Sequence, residues 1–158
     1  MKGEGPPAIH ALHGFLGSGK TTLARQLETE LPALRFSSDE WMVTLYGQDP
    51  PEALFSEYRS RIYALMRRYW TRALALGLPV VLDEGFWTRR ERDDLRAEAE
   101  QLGVPLILYA LSTPESVARE RIRHRNQEPH SLYIAENTYN LFRPRFEPLE
   151  PDEPHILV

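Results

Sequence analysis

The stretch Gly14-Phe15-Leu16-Gly17-Ser18-Gly19-Lys20-Thr21 constrains this chain more than any other. It fits G-x-x-x-x-G-K-[ST], the phosphate-binding loop that joins a strand to a helix. Its glycines let backbone N–H groups turn inward around an anion, which a Cβ would obstruct. Lys20 supplies a point charge for terminal phosphates, and the Thr21 hydroxyl suits Mg²⁺. The helix that follows aims its positive dipole end and unpaired N–H groups at the same place. By chance, a chain of this size shows the pattern about once in a few hundred.

The flanking residues supply the required context. Ala8 to His13 reads as a short buried strand, and Thr22 to Glu28 reads as a helix with Leu23, Leu27 and Leu31 on one face. Strand, glycine loop and helix together predict a nucleoside triphosphate site. Its cofactor-binding residues are Gly14, Phe15, Leu16, Gly17, Ser18, Gly19, Lys20, Thr21 and Thr22.

The rest of the chain extends the pattern. Leu34 to Ser37 predicts a second strand, Pro79 to Asp83 a third, Val104 to Leu111 a fourth and Pro154 to Val158 a fifth. Between them, Pro50-Pro51 opens a long helix stopping at Gly77, its apolar face read as Leu54, Tyr58, Ile62, Leu65, Met66 and Tyr69. Thr88 and Glu91 form a capping box for a helix ending near Gly103. Thr113-Pro114 caps and opens a basic helix through Arg125, and a last helix is expected from about Ser131 to Phe142. Alternating strands and helices predict an α/β fold, a parallel sheet covered on both faces. With 158 residues, one domain is expected (1–158), with residues 1–7 a loose tail.

Composition narrows the function. A formal net charge of −4 argues against general nucleic-acid or membrane-surface binding. The absence of cysteine excludes disulfides and thiolate metal sites. No apolar run is long enough to span a bilayer, so a cytoplasmic protein is expected, as monomer or homodimer. The five histidines show no ligand spacing and read as structural or surface groups.

In open parallel sheets, ligands bind at the carboxyl ends of the strands, and several chemically able groups fall there. Asp39 follows the second strand, where a carboxylate can orient an acceptor hydroxyl or take its proton; it can equally serve, with Ser38, as a helix cap. Asp83 ends the third strand in the position that holds Mg²⁺ together with Thr21; a solvated strand-end acid is the plainer alternative. Glu84 beside it is the residue that would activate water in a hydrolase. Arg89 and Arg90 sit in the first turn of a helix, against its dipole, which points either to an anionic ligand or simply to two exposed arginines. Arg119, Arg121, Arg123 and Arg125 alternate along the basic helix, so 119 and 123 share one face and 121 and 125 the other. Trp41, Tyr46, Phe86 and Trp87 line an acceptor pocket or pack against the long helix.

Taken in order, these pieces resemble the small P-loop kinases of the AAA_33-type ATP-binding group, similar to polynucleotide kinase, chloramphenicol phosphotransferase, zeta toxin and gluconate kinase. The resemblance rests on Gly14 to Thr21, Ser38-Asp39-Glu40, Leu45-Tyr46-Gly47, Val80 to Asp83 with Gly85 to Glu91, Pro114-Glu115, Arg121 and Arg125-Asn126. It implies a P-loop NTPase fold with a five-stranded sheet ordered 2-3-1-4-5, and a mobile lid around residues 115–135. It implies ATP and Mg²⁺ as cofactors and a small-molecule hydroxyl as acceptor. It further implies that Lys20, Asp39, Arg121 and Arg125 are catalytic, Arg121 and Arg125 facing the triphosphate. Where many such kinases carry arginine three residues after the aspartate, this chain has Met42, which counts against a phosphorylated or polynucleotide acceptor. A nucleotide hydrolase using Glu84 and a 5′-hydroxyl polynucleotide kinase are the alternative functions.

Overall fold

A computed structural model describes residues 6–158, so most of the expected N-terminal tail lies outside the described residues. The elements are β1 (Ile9–His13), α1 (Lys20–Glu30), β2 (Leu34–Phe36), α2 (Ser38–Tyr46), α3 (Glu52–Ala75), β3 (Val80–Leu82), α4 (Arg89–Leu102), β4 (Leu106–Ala110), α5 (Glu115–Arg125), α6 (Thr138–Phe142) and β5 (Ile156–Leu157). A 3₁₀ turn at Arg143–Arg145 follows α6. The five strands form one sheet in the order β2-β3-β1-β4-β5, every pairing parallel.

β1 is buried along its whole length, as a central strand with helices on both faces must be. Its side chains alternate. Ile9 and Ala11 enter a core with α2, α3 and α4, while Leu12 enters a second core with Ala24 and Leu27 of α1. Phe15, Ala118, Ile122, Ile134 and Tyr139 make a third cluster that seats α5 and α6 beside the glycine loop. Among the described residues no helix is long and apolar enough to cross a membrane.

Three expectations need correction. The buried stripe of α3 is Ile62, Met66, Trp70, Ala73 and Leu74, whereas Leu54, Leu65 and Tyr69 are exposed. The 24-residue helix is longer than the sheet it covers, so the i, i+4 row through Trp70 sets the buried phase. The last helix starts at Thr138: residues 132–135 form no regular element, and 136–137 make a turn in which the Thr138 N–H donates to the Ala135 carbonyl at 3.0 Å. There the Asn126 amide clasps both backbone groups of Ile134, at 2.7 and 2.9 Å, and the Tyr133 N–H donates to the Gln48 carbonyl at 2.9 Å. Finally, Thr113 does not cap α5; Pro114 occupies the cap position, and the Thr113 hydroxyl instead donates to the Ser18 carbonyl at 3.2 Å.

Candidate active site

The phosphate cradle is shaped by two glycines with positive φ, Gly17 at +72° and Gly19 at +92°. A Cβ on Gly17 would lie 2.5 Å from the Ala118 carbonyl oxygen of α5, so this residue permits a close approach as well as a turn. Gly19 is the N-cap of α1 and has no side chain to fill the helix end, which leaves the first-turn N–H groups turned toward the loop. The Ser18 hydroxyl is buried there without a hydrogen-bond partner among the described residues. An orphaned buried hydroxyl inside a glycine cradle is what a ligand oxygen satisfies. These residues therefore fit a polyphosphate.

Lys20 reaches back over the loop and donates to the Phe15 carbonyl at 2.9 Å. Burial lowers its pKa to about 8, with Asp39 and Asp83 opposing that shift. A desolvated ammonium gains from an added anion, which favours its charged form. Asp83 is buried at the end of β3, and Arg35 of β2 approaches it at 3.3 Å. Burial raises the Asp83 pKa, while Arg35, Lys20 and the Thr21 hydroxyl act the other way. No cluster of three or more histidine and acidic side chains occurs among the described residues to cage a metal alone. Thr21 and Asp83 together instead offer two oxygen ligands beside the cradle, the partial shell that Mg²⁺ completes with phosphate and water.

Arg121 and Arg125 both line the cleft above this loop. Arg121 donates to the Gly17 carbonyl at 3.4 Å, and Arg125 is close enough to Lys20 to act on its charge. Arg119 lies elsewhere, bonded to Glu115 and Asn140 with its guanidinium over the Tyr139 ring. Arg123 is exposed on the same side as Arg119, outside the cleft.

The cleft also holds Asp39. It is exposed, lines the cleft and has no hydrogen-bond partner among the described residues. It is not the cap of α2: that is Ser37, whose hydroxyl accepts from the Glu40 N–H. Glu84 faces the start of the same helix. Its carboxylate accepts from the Ser38 N–H at 2.7 Å, the Ser38 hydroxyl at 2.8 Å and the Tyr63 hydroxyl at 2.9 Å. Burial raises its pKa to about 7, against Arg59 and the Ser38 bonds.

The aromatic and arginine candidates divide. Phe86 and Trp87 line the cleft, and the Trp87 indole N–H donates to the Gly14 carbonyl at 3.1 Å, bracing the loop. Phe86 holds a positive φ of +44°, its carbonyl bound by Arg92 and His13. Trp41 packs beside Phe36 at the edge of the core, and Tyr46 stacks on Tyr58 with ring centroids 3.8 Å apart; neither lines the cleft. Arg89 and Arg90 do not line it either. The anionic groups that Arg89 meets are the chain's own Asp93, Glu150 and Asp152, and Arg90 is exposed beside Asp94.

A family model described as an AAA domain, AAA_33, matches residues 9–149. The chain belongs to this family. Its P-loop kinase-like members bind nucleotide, and the sheet order and glycine cradle described above are theirs. Solved structures agree on the fold. Kti12 from Chaetomium thermophilum, in complex with ADP-AlF3, is 24% identical with a TM-score of 0.72, covering 95% of this chain and 88% of that one. A gluconokinase from Sinorhizobium meliloti is 23% identical with a TM-score of 0.64, covering 97% and 82%. A sugar kinase from Janibacter is 22% identical with a TM-score of 0.66, covering 97% and 85%. No functionally curated protein matches the sequence.

Several residues escaped sequence reasoning, some lining the cleft of this AAA domain and some supporting it from outside. Arg35 had a signal, a charge within the apolar strand Leu34-Arg35-Phe36. Arg59 and Tyr63 are four apart, which places them on one face of α3, but the apolar stripe drew attention to another face. Glu153, buried against Arg92, sits in an acid-rich tail and carried no signal at all.

Proposed function

We propose that this AAA domain is an ATP-dependent kinase that transfers the γ-phosphoryl group of Mg·ATP to a hydroxyl of a small molecule. The observation that carries the reading is the placement of Asp39, exposed and uncommitted, in the same cleft as the phosphate cradle. That cleft is open and measures about 2200 Å³, well beyond the roughly 300–1,000 Å³ of a single-ligand pocket. It has room for two substrates.

In this reading Lys20 and the loop amides hold the phosphates, and Thr21 with Asp83 holds Mg²⁺. The metal, when bound, neutralises charge on the phosphate oxygens. Asp39 orients the acceptor hydroxyl and takes its proton as the new P–O bond forms and the bridging P–O bond to ADP breaks. Arg121 and Arg125 close over the oxygens in transit. Glu84 already accepts three hydrogen bonds from Ser38 and Tyr63, an arrangement that favours holding α2 over activating water.

The decisive experiment is ADP release from Mg·ATP by wild type and Asp39→Asn across sugars, nucleosides, antibiotics and a 5′-hydroxyl oligonucleotide. Stimulation by one acceptor class, lowered about 10²–10⁴-fold in Asp39→Asn, is the expected result. Slow release indifferent to every acceptor and to Asp39 would overturn the kinase reading.

A further inference from the structure

The wall that carries Asp39 also carries a cation that the phosphate end of the cleft does not use. Arg59 of α3 lines the cleft, and its guanidinium is fixed by an unusual set of contacts. Its Nε and Nη2 both donate to the Tyr63 hydroxyl, at 2.9 and 2.6 Å, and its Cζ lies 5.2 Å from the Tyr63 ring centroid. The Tyr63 hydroxyl in turn donates to Glu84, which accepts the two Ser38 bonds. A relay of Arg59, Tyr63, Glu84 and Ser38 therefore locks the guanidinium to the residue next to Asp39. Arginine held this way has already given up much of its rotamer freedom, so a ligand meets a preorganised donor.

The guanidinium is not consumed by its neighbours. Nη1 has no hydrogen-bond partner among the described residues, and Glu84 stands 3.9 Å from Nη2 with its oxygens committed to Ser38 and Tyr63. Asp39 is near enough to favour the charged form of Arg59 without forming an ion pair with it. Asp39 also acts on Lys20. Asp39 thus shares the cleft with two cations, one for the phosphates and one on the acceptor side. Arg67, the next cleft-lining cation along α3, is already paired with Glu98, and Met42 is turned into the core.

A guanidinium fork with free N–H groups matches an oxyanion, carboxylate or phosphate, in a way a neutral polyol cannot. We propose that Arg59 binds an anionic group on the acceptor, so that this site selects acidic alcohols over neutral ones. The inference rests on the kinase reading for the position of the reacting hydroxyl, and only for that. Tyr63 is a positioning residue, since it acts by holding Arg59.

The test uses the full chain with its loop filled by Mg²⁺ and a non-hydrolysable ATP analogue, which keeps anionic probes off the cradle. Calorimetric titration compares matched pairs: sorbitol with gluconate for the carboxylate, ribose with ribose 5-phosphate for the phosphate. The expected result is one anionic member binding at least tenfold tighter than its neutral partner. That preference vanishes in Arg59→Met, survives in part in Arg59→Lys, and weakens in Tyr63→Phe, with circular dichroism confirming that each variant is folded. Equal binding of both members of every pair by wild type, or a preference undiminished in Arg59→Met, overturns the inference. Phosphoryl transfer measured in parallel separates the two ideas. Arg59-dependent anion binding without any phosphorylated product would sink the kinase reading alone, and turnover of neutral and acidic acceptors at equal KM would sink the inference alone.

Discussion

Ser38 donates both its backbone N–H and its hydroxyl to the carboxylate of Glu84, at 2.7 and 2.8 Å. This pair ties the first turn of α2 to the end of β3, two elements that also carry Asp39 and Asp83. The acceptor-side carboxylate and the metal-side carboxylate are thereby held in one frame.

Glu84→Ala removes that tie and leaves the buried Ser38 N–H unpaired, at a cost of about 1–3 kcal/mol. Glu84→Gln keeps an acceptor for the Ser38 N–H, and both hydroxyls can rotate to suit the amide. Urea unfolding should place Glu84→Gln closer to wild type than Glu84→Ala. Acceptor-dependent turnover should follow the same order.

Gly17 and Gly103 both have positive φ, at +72° and +66°, but only Gly17 has backbone within reach of an added Cβ. Alanine at either position should cost about 1 kcal/mol of stability from backbone strain. Gly17→Ala alone must also displace α5, and with it Arg121. Nucleotide affinity, measured by calorimetry, should fall at least roughly tenfold (about 1.4 kcal/mol) in Gly17→Ala and stay at wild-type level in Gly103→Ala.

Arg119 and Arg121 lie two residues apart on α5 and face different surroundings. Arg121→Ala should lower turnover by about 10²-fold or more through lost stabilisation of the transferring group. Arg119→Ala should leave turnover within about threefold and cost about 1–2 kcal/mol of stability, since it loses a half-buried ion pair, the Asn140 bond and the contact with the Tyr139 ring. Steady-state kinetics on the two variants checks the contrast.

Glu153 is buried against Arg92, with bonds of 2.7 and 2.8 Å, and Arg96 joins them. Hydrogen bonds from Arg92 hold its pKa far below the ordinary 4.5. A depressed carboxyl pKa stabilises the fold above the unfolded-state value, and that contribution drains away as pH falls through 4.5 toward the folded-state value. Denaturant midpoints between about pH 7 and pH 3 should therefore drop steeply in wild type and more gently in Glu153→Gln. At neutral pH, Glu153→Ala should cost about 3–5 kcal/mol, because it strands the buried Arg92 guanidinium.

Much of the fold was legible because its signals are local. The glycine loop declares a strand before it and a helix after it, and the Thr88–Glu91 capping box forms as its spacing implies. Runs such as Val80-Val81-Leu82, buried on both faces, are what the central strands of a parallel sheet covered by helices carry. The site was less legible. Arg89 looked ligand-directed in the first turn of α4, yet its anions come from residues 93, 150 and 152. Two of those lie some sixty positions away, and nothing in the local pattern announces such pairing.

The sequence by itself determined the phosphate cradle, the parallel α/β sheet and the ends of most helices, because backbone conformation and hydrophobic period are set within a few residues. Tertiary structure decided which charges face the cleft. It turned Arg121 inward and Arg119 away, gave Glu84 to Ser38, and brought Arg59 and Asp39 into one cleft. Those choices depend on the angle at which α3 and α5 pack on the sheet. Helix packing is settled by contacts between residues far apart in the chain, which no local reading contains.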